Sequence, residues 1–191
     1  VHTHKIQNNN MTKNEKVVLG VLGTALIVYM LRKKIATALN KTPFGSISDK
    51  IFNTISSFEG FYQVPYYDYT GYSVGYGSQY NWDAKRPVQK TDIIDKATAK
   101  RWLINDAMED YQVVQSIVKV PVTDNQLIAL SSLSYNIGIN AFRNSTLLKL
   151  LNGGANKNVV AQEFDRWKFA NGKVLDGLVK RRNAEKQLFL S

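Results

Sequence analysis

Apolar residues fall at helical spacing over most of the chain, and the breaks in that spacing mark its organisation. In SDKIFNTISSFEG, Ser48 to Gly60, the residues Ile51, Phe52, Ile55 and Phe58 share one helix face, and Gly60 stands where a C-cap belongs. From Val64 to Tyr80 the pattern changes: Tyr and Gly dominate, and the stretch predicts a small, twisted antiparallel sheet with tight turns. After Thr91 helical spacing returns and holds nearly to the C-terminus, first through Ala97, Arg101, Leu103, Ile104, Met108, Tyr111 and Val114. Thr123 and Gln126 have capping-box spacing; Leu127, Leu130, Leu133 and Ile137 follow on one side until Gly138. Ser145 can cap a short TLLKLLN helix closed by Gly153 and Gly154, and two more helices are expected at about Asn158–Phe169 and Leu178–Phe189. No repeat or low-complexity tract appears. The fold class is α+β, mostly α: a helix, a small antiparallel sheet, then a helical bundle.

A different pattern precedes this. VVLGVLGTALIVYML, Val17 to Leu31, holds 15 residues without a charge, flanked by Lys13 and Lys16 and by Arg32, Lys33 and Lys34. As a helix it would be roughly 22 Å long, against a bilayer core of about 30 Å, and flanking Lys and Arg stems can cover part of the gap. An apolar membrane anchor or signal-anchor is the favoured reading. A cleaved signal peptide is weakened by the lack of a small-x-small site after the run, and a buried core helix remains as a third. The three positive charges after the run place the following domain on the cytoplasmic side by the positive-inside rule. NKTPFGS, Asn40 to Ser46, reads as a linker. The first ten residues, ahead of Met11, are set aside from fold reasoning. The expected organisation is 1–46 for tail, apolar helix and linker, and 47–191 for one cored domain.

Charge follows the same division. The net charge is +10, yet residues 1–46 hold seven Lys/Arg against Glu15 alone, while 47–191 hold 18 against 14 acids. A mildly basic body suits a polyanion such as nucleic acid, a membrane surface or bacterial cell wall, and equally a surface built for solubility. There is no cysteine, which excludes disulfides and thiolate metal sites. His2 and His4 are the only histidines and do not make a metal site. No metal or cofactor is expected.

FEGFYQVPYYDYTGYSVGYG, Phe58 to Gly77, carries the candidate chemistry. Glycoside cleavage needs one carboxyl that keeps its proton and a second that stays ionised. Glu59 is expected in the last turn of its helix. There the dipole disfavours an anion, and Phe58 and Phe61 would desolvate it, so it suits a general acid. Asp68, in a sheet-and-turn segment, suits a base or an electrostatic stabiliser. Ser73 offers a hydroxyl that could hold a water. A helix-end Glu and a turn Asp are also everyday surface features.

The segment resembles the phage-type lysozymes, the muramidases of glycoside hydrolase family 24. Glu59-Gly60, Asp68, Gly71 and Gly75-Tyr76-Gly77 match that family's motif in order and spacing. VPVTDNQLIALSSLSYNIGINAFRNSTLLKLLNGG and EFDRWKFANGKVLDGLVKRRNAEKQLFL resemble its central and closing helices, so the likeness runs from about Ile47 to Ser191. It implies a two-lobed lysozyme-like fold and an endolysin that hydrolyses the β-1,4 bond between N-acetylmuramic acid and N-acetylglucosamine, for host lysis by a phage. It implies Glu59 as the acid, Asp68 as the second carboxylate, and Ser73 in the place of a water-positioning Thr. Tyr76 and Asn136 become candidate substrate contacts, and Arg181 or Arg182 a partner for Glu59. Two features depart from the family: the loop from Asp68 to Gly-Tyr-Gly is one residue shorter, and Ser78 stands where a His is usual.

Trp102 and Trp167 are expected in the core, and Trp82 is a weaker sugar-contact candidate. The implied partners are peptidoglycan and, through the N-terminal helix, a membrane; no nucleic acid is expected, and the chain is expected to act as a monomer. Its expected place is the host inner membrane with the enzymatic domain in the periplasm, in conflict with the positive-inside rule, or a virion. A lytic transglycosylase of the same fold and a non-catalytic wall-binding or virion protein are the alternatives.

Overall fold

A computed structural model describes residues 43–68 and 70–191. The run Val17–Leu31 lies outside the described residues. Among the described residues no helix is long and apolar enough to cross a membrane.

Helix α1 runs Pro43–Ser56. It begins inside the segment expected to be a linker, because Pro is well suited to a first helical turn, where its missing N–H costs nothing. It also ends four residues before Gly60, and the N–H of Phe58 closes its end by donating to the carbonyl of Ile55. Strands β1 (Tyr62–Tyr67) and β2 (Tyr72–Gly75) form an antiparallel hairpin that pairs Tyr66 with Ser73 and Tyr67 with Tyr72. The ladder is irregular between Tyr62 and Tyr66, the interval that holds Pro65, which has no N–H to give. A Val74–Ser78 bridge turns the chain into β3 (Tyr80–Asn81), which pairs with β4 (Arg86–Pro87).

The helices follow. They are α2 (Lys96–Ile117), α3 (Asp124–Ile137), α4 (Ile139–Arg143), α5 (Thr146–Asn152) and α6 (Lys157–Gln162). A 3-10 turn at Glu163–Trp167 and a small hairpin, β5 (Phe169–Ala170) with β6 (Lys173–Val174), lead to α7 (Asp176–Leu190). The capping box at Thr123 and Gln126 is present in both directions, and the Ser145 hydroxyl accepts from the N–H of Leu148. The helix expected over Asn158–Phe169 is shorter than its apolar spacing suggested: it tightens after Gln162 and stops before the hairpin.

Residues Ser46–Ser191 form one compact unit. Its apolar interior has two centres. The larger surrounds α3, where Ile128, Leu130 and Leu133 are fully buried against Leu103, Phe142, Phe164 and Phe189. The smaller joins the sheet to the start of α2 through Val74, Val88, Ile94, Ala99 and Trp102. Trp102 is thus core, as its spacing predicted, and Trp167 packs at the edge of the larger centre. Tyr76 touches both.

At Gly75 the sheet packs directly against α2. Its φ is +69°, and a Cβ there would lie 2.9 Å from the Cβ of Ala99, so the position requires glycine twice over.

Candidate active site

Glu59 lies in the turn after α1, not in its last turn, so the dipole of α1 does not set its environment. What meets it is Arg181 from α7, whose Nη1 donates to Glu59 Oε1 at 2.7 Å. The Glu59 side chain is 27% exposed and that of Arg181 only 4%. Phe58 stays close, with its ring 5.4 Å from the Arg181 guanidinium carbon, but Phe61 turns away into the smaller core. Of the surroundings expected for Glu59, Phe58 remains, and a buried cation is added.

That cation is held from behind. Arg181 Nε donates to Glu185 Oε1 at 3.2 Å, and Nη2 reaches the carbonyl of Ser132 on α3 at 3.3 Å. Glu185 is wholly buried and also accepts from the Ser132 hydroxyl and from Arg182 Nη2. Arg182 Nε lies 2.7 Å from Glu185 Oε2 as an ion contact whose angle falls outside hydrogen-bond geometry. Arg181 and Arg182 thus share the buried Glu185, and Arg181 also meets the partly exposed Glu59. Of the two arginines proposed for Glu59, the structure selects Arg181; Arg182 serves Glu185.

Asp68 is treated differently. Oδ2 accepts from the Ser73 hydroxyl at 2.5 Å, and Oδ1 from the hydroxyl and N–H of Thr70 at 2.8 and 3.3 Å. Gln79 Nε2 lies 3.1 Å from each carboxylate oxygen. The Ser73 bond above all, and then those of Thr70, hold the carboxyl down to about 2. The Tyr66 hydroxyl lies in the field of both Asp68 and Glu59 and faces Ser73.

A groove of about 550 Å³ opens beside Glu59, lined by Phe58, Glu59, Asn136, Leu178 and Arg181 among others. Asn136 therefore shares a surface with Glu59 and Arg181. Tyr76 does not line it; its ring packs against Phe52 and Phe61 at 5.6 and 5.7 Å, a packing role in place of the expected substrate contact. Trp82 is likewise committed, its N–H donating to Asp106 and its ring resting on the smaller core. Ser78 is buried and donates to the same Asp106. Burial, with neutral donors only, pushes Asp106 up to about 6. Among the described residues no cluster of His, Cys, Asp and Glu is placed to hold a metal.

Sequence reasoning missed Thr70, Gln79, Ser132, Glu185 and Asp106. Thr70, two residues after Asp68, had a local turn signal. Glu185 falls on the Arg181 face of α7 by i+4 spacing. Gln79 and Asp106 had no local signal.

Comparison with known proteins adds the decisive observation. The family model described as Phage lysozyme matches residues 56–185. This chain belongs to the phage lysozyme family.

Among relatives of this phage lysozyme chain, an endolysin of Bacillus phage B103 is 40% identical over 151 residues, 76% of this chain. The chain spans about half the length of that relative, 54%. A SAR-endolysin of Enterobacteria phage P21 is 31% identical over 163 residues, covering 84% of this chain and 95% of its own length. A solved structure, an endolysin from Escherichia coli O157:H7 phage FAHEc1, superposes with a TM-score of 0.65 at 33% identity, covering 74% of this chain and 91% of its own. The lysozyme-like fold of small antiparallel sheets and mostly helices is thereby shown.

Proposed function

We propose that this phage lysozyme chain is an endolysin that hydrolyses peptidoglycan at the β-1,4 bond between N-acetylmuramic acid and N-acetylglucosamine. The observation that carries the reading is the unequal treatment of the two carboxylates. Glu59 stands partly exposed at a groove with one buried cation behind it, while Asp68 is an anion whose two oxygens are both held by protein donors. Asp68 thus supplies the ionised half of the division of labour a glycosidase needs, and Glu59, at the groove, is the carboxyl left for the acid role.

In this mechanism Glu59 gives its proton to the leaving glycosidic oxygen. Asp68 presents fixed negative charge to the sugar as positive charge develops at the anomeric carbon. The Ser73 hydrogen is spent on Asp68, and the fully buried hydroxyl serves to hold that anion in place. The water oxygen bonds to the anomeric carbon as the glycosidic bond breaks, and the one proton the water loses returns through solvent to Glu59, while Asp68 stays ionised throughout. Asn136 hydrogen-bonds a sugar substituent in the groove.

The apolar run Val17–Leu31 anchors the enzyme at the host inner membrane, with its catalytic domain acting on the wall. The relative named SAR-endolysin supports this placement: its match covers 84% of the chain, more than residues 47–191 supply, so it extends into the N-terminal part.

The test is clearing of purified peptidoglycan by the full chain and by Glu59→Gln, with mass spectrometry of the products. Clearing by wild type alone, with reducing muramic acid ends, is expected. A 1,6-anhydro end would replace the hydrolase with a lyase, and equal clearing by Glu59→Gln would remove Glu59 from the reaction.

A further inference from the structure

Gln79 is exposed, lies outside the Glu59 groove, and has no local sequence signal, yet its side-chain nitrogen is engaged by Asp68 and Thr70 together. Its Nε2 sits 3.1 Å from each Asp68 oxygen and 2.6 Å from Thr70 Oγ1. The proton count fixes the arrangement. The Thr70 hydroxyl gives its hydrogen to Asp68 Oδ1, so it can only accept from Gln79. One amide hydrogen therefore goes to Thr70 and the other is shared between the carboxylate oxygens. The opposite amide orientation would set Oε1 against an anion, so the network assigns Nε2 to this side.

The backbone places Gln79 there. Val74 bridges Ser78, so Ser73 and Gln79 lie beside each other across the turn, with side chains on the same face. The carbonyl of Gln79 accepts from the N–H of Val88, which pins its backbone from the other side. Ser73 takes one edge of the Asp68 carboxylate, Thr70 the other, and Gln79 spans both. A carboxylate has about four lone-pair sites, and these donors occupy them. Such a group cannot rotate without losing several bonds together.

We propose that Gln79 is a positioning residue of the active site: its amide, bridging Asp68 and Thr70, fixes the orientation of the second carboxylate toward the bound sugar. The inference rests on the glycosidase reading for its consequence, and on the geometry alone for the clamp. Asp68 then acts as an oriented anion, since its lone pairs are already engaged and its carboxyl is held down to about 2, by Ser73 first and by Gln79 among the lesser donors.

The experiment compares full-length wild type with Gln79→Met, which keeps the reach and removes the donors, and with Gln79→Glu. Thermal melting confirms folding, which an exposed substitution leaves intact. Carbon-13 NMR follows the Asp68 carboxyl titration, and turnover is measured on soluble peptidoglycan fragments. In Gln79→Met the Asp68 midpoint is expected to rise by about half a pH unit, and kcat to fall about 3- to 10-fold with KM unchanged. Gln79→Glu sets two carboxylates together; it is expected to be nearly inactive at pH 7 and to recover below about pH 5, where a protonated Glu again donates.

An Asp68 titration in Gln79→Met identical to wild type overturns the clamp. An active wild type with unchanged kcat in Gln79→Met overturns its role in the reaction. A wild type that leaves peptidoglycan fragments intact removes the hydrolase reading instead, and the titration then decides the clamp.

Discussion

Arg181 reaches back 122 positions along the chain to place its guanidinium 2.7 Å from the carboxylate of Glu59. It joins the last helix to the turn after the first, and in the same stroke satisfies buried Glu185. Arg181→Met is therefore expected to cost about 3–5 kcal/mol, the usual effect of removing one partner from a buried ion network. Urea denaturation measures it. Arg181→Lys keeps the charge but cannot contact Glu59, Glu185 and Ser132 together, so a smaller loss is expected.

Asp106 ties Ser78 and Trp82 to α2 while half-buried, with no cation paired to it among the described residues. Its pKa is raised from 3.8 to about 6, so the folded protein binds its proton more tightly than the unfolded chain does. This contribution to stability is fully present below about pH 4 and is lost as pH rises through about 6. Asp106→Asn keeps an acceptor for Trp82 and a donor for Ser78. It is expected to stabilise the protein at pH 7 by on the order of 2 kcal/mol, with no gain at pH 4. Melting curves across that range check both the size and the sign.

How legible this was differs by element. The capping box at Thr123, the Ser145 cap and the Tyr/Gly hairpin could be read from the chain because each is closed by residues a few positions apart. The end of α1 was misplaced by the apolar Phe58, which continued the helical spacing although the backbone had already turned after Ser56. That error supplied the wrong surroundings for Glu59. The choice between Arg181 and Arg182 could not be made from adjacent residues of one helix; it needed the position of α7 against α3.

Ser73 is fully buried and supplies the shortest contact to Asp68. Ser73→Ala is expected to lower kcat about 10- to 100-fold and to shift the acid limb of activity upward. The sign follows from the depressed Asp68 pKa: the ionised form survives down to about 2 in wild type, and losing its first donor returns it toward 3.8. A pH–rate profile of wild type and variant measures it.

Gly75→Ala tests the seam between sheet and α2. The positive φ and the 2.9 Å approach to Ala99 combine backbone strain with overpacking. A loss of about 2–4 kcal/mol is expected, read by thermal or urea unfolding. Gly172, at φ +73° with open space within 4 Å of where a methyl would stand, should show only the backbone part, about 1–2 kcal/mol.

By itself the sequence determined most of the local elements and the family, and it singled out Glu59, Asp68 and Ser73 as candidates, because short-range hydrogen bonds and side-chain periodicity are encoded within a few residues. Only the tertiary structure decided which arginine meets Glu59, that Gln79 binds Asp68, and that half-buried Asp106 takes its donors from Ser78 and Trp82. Those contacts join residues brought together by packing two apolar centres, and no spacing along the chain records where such surfaces meet.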